Sequence, residues 1–237
     1  MKTLNYLLLG LFSLLNFQSF CQNNEVIIKP SLNILSFRGS GAQSESYSGT
    51  PISDPKSPTV FNPYGTNGKI GYGISLALQR NTKSILFFGL AGGVERLTSR
   101  ITSSNGILYD NKNIAKNGTN QLSLDYLTIQ PYLGLTALDE STRIEFKIIS
   151  DLSFLINSQE EFTFKTDEGT FNIENNREHI EQDIRLGLGM AVYIKRFAFN
   201  VEYLFGLTDY DDFKPDDILI YSQVFRFGIS YSIIKKN

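Results

Sequence analysis

The chain has 237 residues, with 22 Lys and Arg against 24 Asp and Glu and a formal net charge of −2. Its basic residues are dispersed, which argues against nucleic acid as a partner. A hydrophobic content of 41% is what a soluble protein would have, but a transmembrane β-barrel alternates polar and apolar residues and needs no higher value.

The N-terminus carries the pattern of a secretory signal peptide. Lys2 precedes an apolar run over residues 4–17, and Ser19 and Cys21 are the small residues that a signal peptidase reads before a cut. The run is shorter than the roughly 20 residues of a membrane-spanning helix. A lipoprotein would need a small residue where Phe20 stands. We therefore expect residues 1–21 to be cleaved and residues 22–237 to form one exported domain.

Eight segments of the mature chain alternate apolar and polar residues with a period of two, which is typical of β-strands. In the segment 184–194, for example, Ile184, Leu186 and Leu188 alternate with Arg185 and Gly187. The predicted strands are 26–38, 68–80, 84–101, 122–138, 143–164, 184–194, 197–207 and 225–233.

The connections between these segments alternate in length. Long ones at 39–67, 103–120, 165–179 and 211–217 are separated by short ones at 81–83, 139–142 and 195–196. Outer-membrane barrels have short periplasmic turns and long outer loops. The sequence therefore predicts an all-β fold, an eight-stranded antiparallel up-and-down transmembrane β-barrel with both termini on the periplasmic side.

The second face of the strands is small and charged, which would suit the lumen of a narrow barrel better than an exterior. A soluble barrel or sandwich, with its apolar face turned inward, is the alternative. Eight strands leave room only for side chains, so opposite charges in the lumen should pair; the alternative is that shear separates them and water fills the gaps. The predicted lumen charge network consists of Lys29, Glu95, Glu145, Lys147, Asp151, Arg185, Glu202 and Arg226.

Residue types that could carry catalysis or bind a metal are few. His179 is the sole histidine, and it lacks the serine two residues later that lipid A deacylase barrels have. The acidic segment 209–217 could offer oxygens to calcium, but it lacks the spacing and central glycine of a calcium loop. We expect no enzyme, no cofactor and no metal site.

Two segments resemble the PorT-like, or porin-family, outer-membrane barrels of Bacteroidota: residues 124–131, LDYLTIQP, and residues 201–209, VEYLFGLTD. The chain departs from that family at its end, which reads IIKKN instead of closing on an aromatic residue. Its N-terminal region also lacks the pattern of PorT itself, so PorT's role in secretion is not carried over.

Three classes of function fit this sequence. The first is a non-enzymatic barrel that anchors in outer-membrane lipid and presents extracellular loops to an envelope protein or an extracellular ligand. The alternatives are a small porin or channel, and an accessory subunit of a secretion or membrane-insertion complex. Each of them places the protein in the cell outer membrane.

Overall fold

A computed structural model describes residues 23–49, 59–60, 62–82, 84–107, 114–115, 117–138, 142–166, 169–176, 182–210 and 218–235. The predicted signal peptide, His179 and residues 211–217 lie outside these ranges. The described residues contain twelve strands: β1 Asn23–Arg38, β2 Glu45–Gly49, β3 Thr59–Val60, β4 Asn67–Asn81, β5 Leu86–Ile107, β6 Ile114–Ala115, β7 Asn117–Leu138, β8 Arg143–Thr166, β9 Gly169–Asn176, β10 Gln182–Ile194, β11 Phe197–Gly206 and β12 Tyr221–Lys235. Within these ranges no helix is long and apolar enough to cross a membrane.

Eight of these strands form a closed ring in which every neighbouring pair is antiparallel. The order is β1, β4, β5, β7, β8, β10, β11 and β12, and β12 pairs again with β1. Each ring strand therefore pairs with the ring strand before it and the ring strand after it in the sequence, and β12 closes the ring onto β1. The predicted eight-stranded antiparallel up-and-down barrel is therefore confirmed.

Pairing around the ring is strongly staggered. If the paired residues are followed once around the barrel from Arg96 of β5, the path returns to β5 at Leu86, ten residues away. Such a shear tilts the strands against the barrel axis, and with eight strands the interior is only wide enough for side chains.

The outer wall is apolar because the alternating hydrophobic residues of every ring strand point away from the axis. Leu76 is 51% exposed, Leu133 55%, Leu188 63% and Ile229 59%. The rings of Phe197 and Tyr231 pack against each other near the short turns, with centroids 5.0 Å apart and planes tilted by 49°. The predicted apolar faces therefore all lie on the exterior of the barrel.

The two ends of the barrel differ. The turn end carries the short connections 82–85, 139–142 and 195–196, and Lys195 there adopts a φ of 58°. At the opposite end, the loop end, β5, β7 and β8 have 22, 22 and 24 residues. About 9–11 residues suffice to cross a bilayer, so these three strands extend well beyond the other five.

Parts of the predicted loops are strands in the structure. β5 and β7 take up much of 103–120, and β9 continues a hairpin with β8 inside 165–179. Within 39–67, β2 runs parallel to the end of β5 and β3 pairs with β2. The prediction of plain loops at these positions was wrong, because hydrogen-bond pairing continues past the last apolar residue of the alternating pattern.

Candidate functional site

Inward side chains fill the barrel in layers, and the layer at the turn end is built around Arg143. Its Nη1 lies 2.5 Å from Glu25 Oε1 and its Nη2 lies 2.9 Å from Glu25 Oε2. Its Nε is 3.4 Å from Glu145 Oε1, and the guanidinium stacks 3.8 Å from the centre of the Tyr193 ring. Gln79 donates to Glu145 over 2.7 Å. The bidentate pair of Arg143 and Glu25 joins β8 to β1 across the lumen.

The middle layer is centred on Glu202, which is 1% exposed. Its Oε1 accepts from Lys29 Nζ at 2.5 Å and from Lys147 Nζ at 2.8 Å. Gly189 lies beside Lys147, and a Cβ there would stand 2.8 Å from Lys147 Cε. The missing side chain at this glycine leaves room for the lysine to cross the lumen towards Glu202.

A third layer joins two arginines to carboxylates from three strands. Arg226 Nε and Nη2 lie 2.9 and 2.8 Å from the two oxygens of Glu95, and Nη2 is also 2.6 Å from Asp151 Oδ2. Arg185 Nη1 contacts the same two carboxylates at 2.8 and 3.4 Å, and its Nε donates to Asp183 over 2.6 Å. Planar guanidinium groups suit such forked contacts, which are among the strongest hydrogen bonds in proteins.

Aromatic residues close the lumen above this layer, towards the loop end. Tyr210 donates to Asp183 over 2.6 Å and meets the hydroxyl of Tyr126 at 3.1 Å. The rings of Phe37, Tyr64 and Tyr210 pack edge to face with centroids 5.1 to 5.7 Å apart. Tyr64 and Tyr210 come from residues 62–66 and 207–210, which follow β3 and β11, so these two stretches fold back into the mouth of the barrel.

All eight residues of the proposed lumen network point into the barrel. Glu202 and Arg226, two opposite charges of the predicted network, approach only to 3.8 Å. Sequence reasoning missed Glu25, Arg143 and Asp183. Arg143 and Asp183 each stand two residues before a residue of the proposed network, so the period of two could have found them.

The charges of the interior are nearly balanced. Five cations, Lys29, Arg143, Lys147, Arg185 and Arg226, face six carboxylates, Glu25, Glu95, Glu145, Asp151, Asp183 and Glu202, and no side chain among them is more than 13% exposed. Buried charges are tolerated only when they are paired and hydrogen-bonded. Among the described residues, no group of three or more His, Cys, Asp or Glu could hold a metal ion.

No family model matches this chain, and no curated protein matches it in sequence. Among solved structures, Ail, the attachment invasion locus protein of Yersinia pestis, in complex with the heparin analogue sucrose octasulfate, is 10% identical, with 90% of this chain and 99% of that chain covered and a TM-score of 0.37. Neisserial surface protein A is 9% identical over 88% and 97% of the two chains, also at 0.37. A Pseudomonas aeruginosa FadL homologue is 7% identical over 90% of each, at 0.23. The barrel itself follows from the strand pairing.

Proposed function

We propose that this protein is a non-enzymatic outer-membrane barrel that anchors itself by its apolar wall and presents the sheet at its loop end for binding. One combination carries the proposal: the wall is apolar on the outside, and the lumen holds layers of paired charges beneath an aromatic and apolar cluster towards the loop end. A soluble barrel has the reverse arrangement, because water favours a polar exterior and an apolar core. We propose as well that the protein is one of the PorT-like barrels that its sequence resembles.

The apolar band has the height that a membrane requires. On β5 it runs from Leu86 to Val94 and ends at Arg96, which is an interval of ten residues. A rise of about 3.4 Å per residue and a tilt near 45° convert this interval into roughly 24 Å, close to the ~25 Å band of outer-membrane barrels.

The loop-end sheet is the surface offered to a partner. Above Arg96 the outward residues of β5, β7 and β8 become polar, as Arg100, Gln121, Asn157 and Gln159 illustrate. A channel would need an aqueous path, but ion-pair layers and the aromatic layer follow one another along the described part of the lumen. The filled lumen therefore favours an anchor that presents a surface over a pore.

Fractionation of cells that express the full chain tests this proposal. The protein should be recovered in the outer-membrane fraction and should migrate anomalously on gels until it is boiled, because a closed ring has no unpaired strand edge. Recovery as a soluble periplasmic protein would refute the membrane assignment. Extraction in a mild detergent is the second measurement: a stoichiometric protein partner that co-purifies would replace the free-standing anchor with an accessory subunit.

A further inference from the structure

The outer wall has an irregular region at the top of the apolar band, where β4, β5, β7 and β8 adjoin. Pairing shifts by one residue between Lys69 and Tyr72 against β5, and again between Asp125 and Tyr126 against β8. The shifts leave Ile70 and Ile156 without direct partners in these ladders, and both side chains are 63% exposed. Such β-bulges bend a strand and redirect its side chains.

A cleft of about 250 Å³ lies between these two bulges on the outside of the barrel. The outward side chains that line it are Tyr72, Ile74, Val94, Arg96, Asp125 and Ile156. Ile74 and Val94 belong to the apolar band and are 49% exposed each. The lower part of the cleft therefore opens sideways into the layer that we assign to lipid chains.

An ion pair marks the upper edge of the cleft. Arg96 Nε lies 2.6 Å from Asp125 Oδ1 and its Nη2 lies 2.7 Å from Oδ2, while Asn157 donates to the same carboxylate over 3.3 Å. Both charged side chains remain accessible, at 35% and 25%. A charge pair on the outer wall is expected where the hydrocarbon meets the headgroups, since charges near the interface cost little.

Two more cations, Lys69 and Arg100, lie above the ion pair, and both are exposed. Lys69 of β4 pairs with Thr98 of β5, and Thr98 is two residues before Arg100 on the same strand. Lys69 also donates a hydrogen bond to Gln121. Residues at such diagonal positions lie roughly 7–8 Å apart, within reach of long side chains. Among the outward residues of this region, three carry a positive charge, Lys69, Arg96 and Arg100, and two carry a negative charge, Asp125 and Glu161, the β8 residue that pairs with Gln121.

We propose that this cleft binds a phosphate-bearing lipid of the surrounding leaflet. One acyl chain would lie against Ile74, Val94 and Ile156, and the phosphate would contact Lys69 and Arg100. The inference rests on the proposed membrane insertion, because the cleft opens into the band. A soluble ligand would have to enter through the hydrocarbon layer, whereas the apolar floor and the net charge of +1 at the rim, with Lys69 and Arg100 both exposed, match the two ends of an anionic lipid.

The refolded full chain in phosphatidylcholine nanodiscs, titrated with lipid A as the phosphorylated probe, tests the site. Lys69→Gln/Arg100→Gln should bind lipid A about ten- to thirtyfold more weakly than wild type, since each cation near a membrane surface contributes about a fivefold effect. The matched control, Lys195→Gln/Arg196→Gln, removes the same charge at the turn end and should bind as wild type does. Equal losses in both double variants, or no loss in either, would overturn the proposal.

A second variant, Asp125→Asn, is expected to bind lipid A more tightly, and a misfolded protein would not show tighter binding. Asp125→Asn removes the counter-charge of Arg96 and should strengthen lipid A binding by up to about fivefold. Weaker binding by a folded Asp125→Asn protein would overturn the proposal. Heat-modifiable mobility of every variant shows that insertion succeeded, so failure of the lipid site is distinguishable from failure of the barrel to enter a membrane.

Discussion

The pair of Lys147 and Glu202 offers the sharpest test of the interior network. Glu202→Gln keeps the shape of the side chain but leaves two buried ammonium groups, those of Lys29 and Lys147, without their shared counter-charge. Breaking a buried ion pair from one side costs about 3–5 kcal/mol. Lys147→Met is milder, because Glu202 keeps Lys29 at 2.5 Å, and we expect about 1–3 kcal/mol for it.

The double variant should lose less than the sum of the two single variants. Contacting residues in one network couple by about 0.5–3 kcal/mol, and the distance of 2.8 Å between Lys147 Nζ and Glu202 Oε1 places this pair in the upper part of that range. Arg226 and Glu202 approach only to 3.8 Å, so their coupling should be smaller. The double-mutant cycle of Lys147 with Glu202 and that of Arg226 with Glu202 both use the variant Glu202→Gln, so each cycle serves as a control for the other.

The free energy of unfolding of each variant is measured by urea titration in lipid vesicles, with the folded fraction read from the heat-modifiable gel band. A coupling energy for Lys147 and Glu202 that is indistinguishable from zero would refute the buried pair. A larger coupling for Arg226 and Glu202 than for Lys147 and Glu202 would show that the layers are arranged differently.

Other variants and measurements test the wall, the mouth and the lumen. Leu188→Arg and Val201→Arg, at the centres of β10 and β11, should each destabilise the barrel by about 2–4 kcal/mol, whereas Leu207→Arg beyond the end of β11 should cost about 0–1 kcal/mol; equal effects at all three sites in urea titrations would contradict the assigned band. Tyr210→Phe removes the hydroxyl that Asp183 accepts from and should cost about 1–3 kcal/mol; wild-type stability would show that this contact does not hold the mouth. Planar bilayer recording of wild type should give no steady conductance, and stable openings would favour the channel alternative.

The alternation of residues was enough to predict most of the fold. A period of two places Ile184, Leu186 and Leu188 on one face of a strand and Arg185 on the other, whatever the rest of the chain does. Eight such segments and their alternating connections predicted the number and direction of the ring strands. The same local geometry predicted which charged residues point into the lumen.

Partners across the lumen could not be predicted in this way. Lys29 and Glu202 are 173 positions apart, and their contact depends on the shear of the whole ring and on the space beside Gly189. The sequence predicted that both Glu202 and Arg226 belong to the lumen network, but not which charges they contact. In the structure Glu202 contacts Lys29 and Lys147, and Arg226 contacts Glu95 and Asp151.

The sequence by itself therefore determined the faces, the strand number and eight of the eleven charges in the lumen layers, because these follow from the geometry of single strands. Tertiary structure decided the pairing of charges, the strand extensions inside the predicted loops and the outer cleft. The bulges at Ile70 and Ile156 have no signature in the alternation, since they arise from register between neighbouring strands. The register of each strand pair depends on the shear of the closed ring, and that shear is set by all eight strands together.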